Sequence, residues 1–251
     1  MAKIQSIYRY PIKGLTPEPL PRATLTPGEP IPGDRLYAIE NGPSGFDASA
    51  PTYRSKTHFL MLMKNERLAA LRSAFDDDTQ VLTIHEGGYE ITGDLRTAEG
   101  RATIERFFAA YCASELRGPP KILHGGGHSF SDVAKKVVSI INLASVAAIE
   151  DMVGVPVHPL RFRGNVYVEG WPAWSELDLV GKTLRIGRDA GLKVVKRIVR
   201  CAATNVDPLT GIRDLSIPQT LMQNLDHADC GIYAEVIADG QIADGDNIGM
   251  L

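Results

Sequence analysis

Apolar and polar side chains alternate with a period of two in short runs along this chain, and that period confines it to a largely β architecture. Residues 36–39, 82–84, 166–168 and 184–186 each place apolar side chains two apart, as a strand with one buried face requires. Residues 192–199 form a longer strand-like run. Asp239-Gly240 separates the apolar runs 231–238 and 241–243, and because both residues tolerate positive φ the dipeptide predicts a closing hairpin. Helical spacing is rarer. It groups Leu68 with Leu71 in 65–74, Ile104, Phe107, Phe108 and Tyr111 in 103–113, and Val146, Ile149 and Val153 in 142–153. A fourth helix, begun near Pro218, is expected to turn Leu221, Met222 and Leu225 inward. The expected class is mainly β with flanking helices (α+β).

With 251 residues and 44% hydrophobic content the chain has enough material for one large domain or two modest ones. Lys and Arg number 27 against 30 Asp and Glu, a net charge of -3, which gives no global attraction to nucleic acid or an anionic membrane. No segment approaches the roughly 18 apolar residues of a membrane span, and the start, Met1 to Gly14, has no apolar block of the signal-peptide kind. A cytoplasmic location is expected. The most broken stretch is 117–128, with Pro119-Pro120 and Gly125-Gly126-Gly127, so a boundary is expected there, splitting the chain into 1–118 and 119–251.

Two motif-like stretches fail on inspection. Val180-Gly181-Lys182-Thr183 resembles the end of a phosphate loop, but the loop's first glycine would fall on Glu176, whose charge repels phosphate. His124 and His128 flank the three glycines as in an esterase oxyanion loop, yet the chain has no Gly-x-Ser-x-Gly elbow; a surface loop is the simpler reading. The three cysteines are too scattered for a disulfide framework or a zinc knuckle. Cys112 shares a helical face with aromatic residues and is expected in the core, and Cys230, after His227 and Asp229, is expected to be structural. Trp171 and Trp174 are expected to wall a pocket or cover the barrel.

Cys201 differs, because it leaves a strand-like run beside Lys196, Arg197 and Arg200, cations that favour the metal-binding thiolate. A lone cysteine is otherwise more often a small core residue. Asp207-Pro208-Leu209-Thr210-Gly211 is expected to be a turn that positions it. Arg54 and Lys56 either join a basic pocket or are merely exposed.

The segment Arg200-Cys201-Ala202-Ala203-Thr204-Asn205-Val206-Asp207-Pro208-Leu209-Thr210-Gly211 resembles the metal-binding segment of MOSC-domain proteins. That group includes the C-terminal domain of molybdenum cofactor sulfurases and the mitochondrial amidoxime-reducing component. Three further segments resemble the family in the same order: Tyr10-Pro11-Ile12-Lys13-Gly14, Gly33-Asp34-Arg35, and Arg161-Phe162-Arg163-Gly164-Asn165. The resemblance implies a MOSC-type β-barrel over 119–251 preceded by an N-terminal β-barrel subdomain over 1–118. It implies that Cys201 ligates molybdenum, while Lys13, Arg35, Arg163 and Asn165 hold the phosphate and pterin of the molybdenum cofactor. Gly14 stands where the family has serine and offers only its backbone N–H; Asp132 and Ser139 are further candidates near the metal and pterin.

By the same resemblance the expected function is an oxidoreductase acting on a small N-hydroxylated or N-oxide substrate. The chain lacks a Cys-x4-Cys-x2-Cys cluster, so electrons are expected from a separate protein: a flavin reductase with a cytochrome b5-like or ferredoxin partner. The alternative is a protein that carries the cofactor or relays sulfur on Cys201 without turnover.

Overall fold

A computed structural model describes residues 2–251 of the chain. The first half comprises β1 (Ala2–Arg9), β2 (Glu18–Leu20), β3 (Arg22–Leu25), β4 (Tyr37–Asn41), β5 (Arg72–Phe75), β6 (Val81–Glu86), β7 (Tyr89–Asp94) and helix α1 (Ala98–Tyr111). The second comprises β8 (Pro120–His124), β9 (Val138–Asn142), α2 (Leu143–Val153), β10 (Val166–Glu169), β11 (Thr183–Ile186), β12 (Ala190–Val199), α3 (Ile217–Leu225), β13 (Asp229–Ala238), β14 (Gly240–Ala243) and β15 (Asn247–Met250). The fold is mainly β with three helices.

Seven strands close into a barrel in the order β10-β9-β13-β12-β11-β15-β1, because β1 pairs with β10 as well as with β15. Neighbours are antiparallel except β9 and β10, which run parallel and are joined through α2. Inward side chains two apart, such as Leu192 and Val194 on β12 and Ile232, Ala234 and Val236 on β13, fill the barrel with Ile4, Ile7, Val138, Val166 and Ile248. The first strand thus belongs by pairing to the barrel built otherwise from residues 138–250, and β2 extends the same sheet from its outer side. A second core gathers Ile12, Leu15, Ile39, Leu60, Leu68, Leu82, Ile104 and Phe108 between α1 and the small sheets β4-β8 and β5-β6-β7. Helices α2 and α3 cover a third, with Ile149, Phe162, Tyr167 and Leu221.

Several expected elements change form. Residues 65–74 are not an α-helix: Glu66–Ala70 is a 3-10 turn, and Leu71 is already extended before β5. Leu68 and Leu71 are both buried, and a spacing of three suits a 3-10 turn as well as an α-helix. Helix α1 starts five residues before the expected 103, where Thr97 caps it by accepting from the Gly100 N–H; the glycine in its first turn masks that start in the sequence. The expected hairpin at Asp239-Gly240 is absent. Strand β14 pairs with β3, Gly240 opposite Leu25, and a Cβ at Gly240 would lie 2.5 Å from the Ala190 nitrogen, so this glycine serves a close chain crossing. On α3, Ile217 and Leu221 are buried but Met222 is 50% exposed, one step of about 100° round the helix from Leu221. The stretch 117–128 is not all linker, since β8 lies inside it and pairs with β4.

Among the described residues no helix is long and apolar enough to cross a membrane.

Candidate functional site

An open pocket of about 920 Å³ of space outside protein atoms lies between the barrel and the first half of the chain. Lys13, Gly14, Arg35, Asp132, Ser139, Arg163, Asn165 and Cys201, all singled out in the sequence, line it.

Cys201 stands two residues beyond β12, extended at φ -122° and ψ 174°, and starts a 3-10 turn. Its carbonyl accepts from the Thr204 N–H at 3.0 Å and the Thr204 hydroxyl at 2.9 Å, so the backbone is fixed while the half-exposed sulfur is left to the pocket. The Asp207 carboxylate accepts from the Leu209 and Thr210 N–H groups at 2.9 and 2.8 Å, forming the expected turn. Arg161 ties that turn down, donating to Asp214 at 2.7 and 2.8 Å and to Asp207 at 3.2 Å.

The cation at the thiol is not one of the three expected from the sequence. Lys196 lies over the Tyr233 ring, Arg197 donates to the Leu177 carbonyl, and Arg200 donates to the carbonyls of Cys230 and Phe162. Lys56 is the neighbour instead, with Nζ 3.4 Å from Sγ of Cys201 and 3.3 Å from Asp132. Of the two alternatives the sequence left for Lys56, the pocket is the one observed, though its contact with a cysteine 145 residues away has no local mark. Arg54 turns away, donating to the Ser44 and Gly45 carbonyls.

Lys13 is buried, donating to the Phe130 carbonyl at 2.9 Å and to Asp132 at 2.5 Å. Asp132 thus bridges two ammonium groups. Burial works to raise its carboxyl pKa, but Lys13 and Lys56 outweigh burial and hold it well below the usual carboxylate range. Burial likewise depresses Lys56, yet Asp132 and then Cys201 lift it above its ordinary value. Both groups are charged at neutral pH.

Arg35 is neutralised by Asp34 through two contacts of 2.7 and 2.5 Å. Arg163 is not: among the described residues no carboxylate or carbonyl accepts from its guanidinium, while the Tyr10 ring centroid lies 4.3 Å from it. Burial lowers its pKa, and with the charge of Arg35 it outweighs the opposing effect of Tyr10. Lining the pocket are six cations, Lys13, Arg35, Lys56, Arg161, Arg163 and Arg200, and two carboxylates, Asp34 and Asp132. Even with Arg161 matched from outside by Asp207 and Asp214, a positive excess remains. An unpaired cation in a partly desolvated place is unfavourable, so the pocket suits an anionic ligand.

Asn165 and Ser139 are committed to each other. The Asn165 side-chain oxygen accepts from the Ser139 N–H at 3.1 Å and hydroxyl at 2.8 Å, and its amide donates to the Tyr8 carbonyl at 3.2 Å. Their contribution is to lock the chain before β10 onto β9. Gly14 sits at φ 88°, and a Cβ there would lie 3.2 Å from the Leu60 carbonyl oxygen, so this backbone favours glycine.

The other expectations sort by burial. Cys112 and Cys230 are buried. Trp171 packs on the barrel core and Trp174 on the helical layer, and neither lines the pocket. His124 packs at a tilt against Tyr37 and His128 against Phe46, and no metal-holding group of three or more His, Cys, Asp or Glu occurs among the described residues.

The family model of the MOSC domain matches residues 121–249, and that of the MOSC N-terminal beta barrel domain matches residues 1–113. Among solved structures the chain is similar to the YUAD protein from Bacillus subtilis, with 16% identity over 98% of this chain and 93% of that one and a TM-score of 0.46. It is also similar to YiiM from Geobacillus stearothermophilus, with 18% identity over 45% of this chain and 53% of that one and a TM-score of 0.37. A comparison with curated proteins gives no significant match.

Proposed function

We propose, from the premise that this chain belongs to the MOSC family and carries both the MOSC N-terminal barrel and the MOSC domain, that it holds a molybdenum cofactor and reduces small N-hydroxylated or N-oxide compounds. The family is associated with molybdenum cofactor binding. The observation that carries the reading is a half-exposed thiol in one pocket with an unneutralised guanidinium, Arg163, and an ammonium, Lys56, at the sulfur.

The donor set fits the group. A thiolate suits a thiophilic metal, and cations with free N–H donors suit a phosphate of nearly two negative charges. Cys201 would hold the metal, while Arg35, Arg163 and Lys13 would face the phosphate and pterin. When bound, the group supplies two-electron chemistry, by which an N-hydroxylated compound, two electrons and two protons give the parent amine and water. The chain contributes position and charge: Lys56 donates toward the sulfur, Asp132 fixes the two lysines, and the Asn165–Ser139 pair holds the segment that carries Arg163. Electrons would come from a separate protein of the flavin reductase, cytochrome b5-like or ferredoxin kind.

Cys201→Ala tests the reading. Protein from a cofactor-producing host is expected to contain molybdenum and pterin, and the variant to lose the metal while melting at nearly the same temperature, because the half-exposed thiol adds little packing. Undiminished molybdenum in the variant would overturn the assignment. Turnover of a hydroxylamine with reduced viologen is expected of loaded protein; loading without turnover would leave a carrier in place of the enzyme.

A further inference from the structure

The Tyr10 ring is fully buried, 0% exposed, and has two guanidinium groups against it, Arg35 at 4.4 Å and Arg163 at 4.3 Å from its centroid. The tyrosine is bound to both arginine segments. Its carbonyl accepts from the Arg35 N–H at 2.8 Å, its N–H donates to Asp34 at 2.9 Å, and its hydroxyl donates to the Gly164 carbonyl at 3.1 Å. Both arginines have left-handed backbones, φ 51° for Arg35 and 50° for Arg163, a conformation that is strained outside glycine. Two strained residues that bring like charges onto one ring require compensation.

An aromatic face stabilises a cation through its quadrupole while occupying none of its N–H donors. Arg161 shows the contrary arrangement: its terminal nitrogens are taken by Asp214, Asp207 and the Asn205 carbonyl, and it can offer little to a ligand. Arg163 keeps its donors because a ring, and not a carboxylate, supports it. We propose that Tyr10 is a positioning residue that holds Arg163 as the free arm of a clamp for a phosphoryl dianion, with Arg35, paired to Asp34 and donating to the Arg163 carbonyl at 3.0 Å, bracing it from the same ring. This rests on the reading of the pocket as the site of a phosphorylated cofactor, and adds a role for a residue that touches neither metal nor phosphate.

The test is a shape-conserving series at position 10 of the full-length chain: Tyr10→Phe, then phenylalanine carrying one, two and three ring fluorines, which drain the π face at nearly constant size. The probe is inorganic phosphate, followed by titration calorimetry at low ionic strength with the thermal midpoint measured in parallel. Tyr10→Phe is expected to bind within about twofold of the parent, and the trifluorinated form about fivefold more weakly than the phenylalanine form, at an unchanged midpoint. A packing role alone would leave phosphate affinity flat along the fluorine series. A flat series in a protein whose affinity falls with Arg163→Met overturns the role of Tyr10 and spares the anion pocket. Parent-like binding by Arg163→Met and Arg35→Met overturns the pocket reading and the clamp together.

Discussion

Cys201 is set apart from its two fellow cysteines by exposure. Burial pushes the Cys112 thiol up to about 11 and the Cys230 thiol up to about 12, so neither forms thiolate at pH 8 and neither is reachable. Iodoacetamide at pH 8 is therefore expected to label cofactor-free native protein at Cys201 alone and the unfolded chain at all three cysteines. Mass spectrometry of the peptides checks this, and native labelling of Cys230 would contradict the burial described. At this scale the sequence was partly legible. The motifs around Lys13, Arg35, Arg163 and Cys201 lead to the pocket, because each is a short local string. Lys56 was legible only as one of two alternatives, since its contact with the sulfur is made by tertiary folding, and Tyr10, though inside a matched motif, acts through its ring face, which no spacing rule announces.

Strand β12 delivers the cysteine, and its pairing with β13 slips between Arg197 and Val199, just before the exit. Such irregularities re-aim a strand end, and here the exit is pinned by the Arg200 N–H on the Ala228 carbonyl at 2.7 Å. On the other wall, Gly14 turns the chain after Lys13. Gly14→Ala is expected to destabilise the fold by about 1–2 kcal/mol, through its positive φ and the Leu60 carbonyl. The check is a denaturant titration, in which a midpoint equal to that of the parent would show that the turn relaxes freely. Period-two runs marked β6 and β11 because one face of each is buried, and they also found β4 and β10, which are buried on both faces. Residues 65–74 and 239–240 were misjudged because a spacing of three and an Asp-Gly pair each fit two local geometries, and long-range pairing chose between them.

At the scale of the whole molecule, β1 is the strand that closes the barrel, filling the place between β10 and β15. A fragment of residues 119–251 would keep most of the MOSC domain yet expose the flanks of both strands and remove Ile4 and Ile7 from the core. It is expected to show no cooperative thermal transition by circular dichroism, whereas the full chain melts as one unit; a sharp transition in the fragment would show that the gap closes otherwise. The sequence suggested a division near 118 from its prolines and glycines, but strand partnership across 160 residues, such as Ile4 opposite Val168, leaves no local mark.

That circular closure also bears on timing. During synthesis the ring stays open until β15, the last of the described strands, emerges from the ribosome and slots between β11 and β1. A ligand that needs the sealed ring for a lasting grip would be taken up after the described strands have been made, at a rate set by its supply and not by the pace of translation.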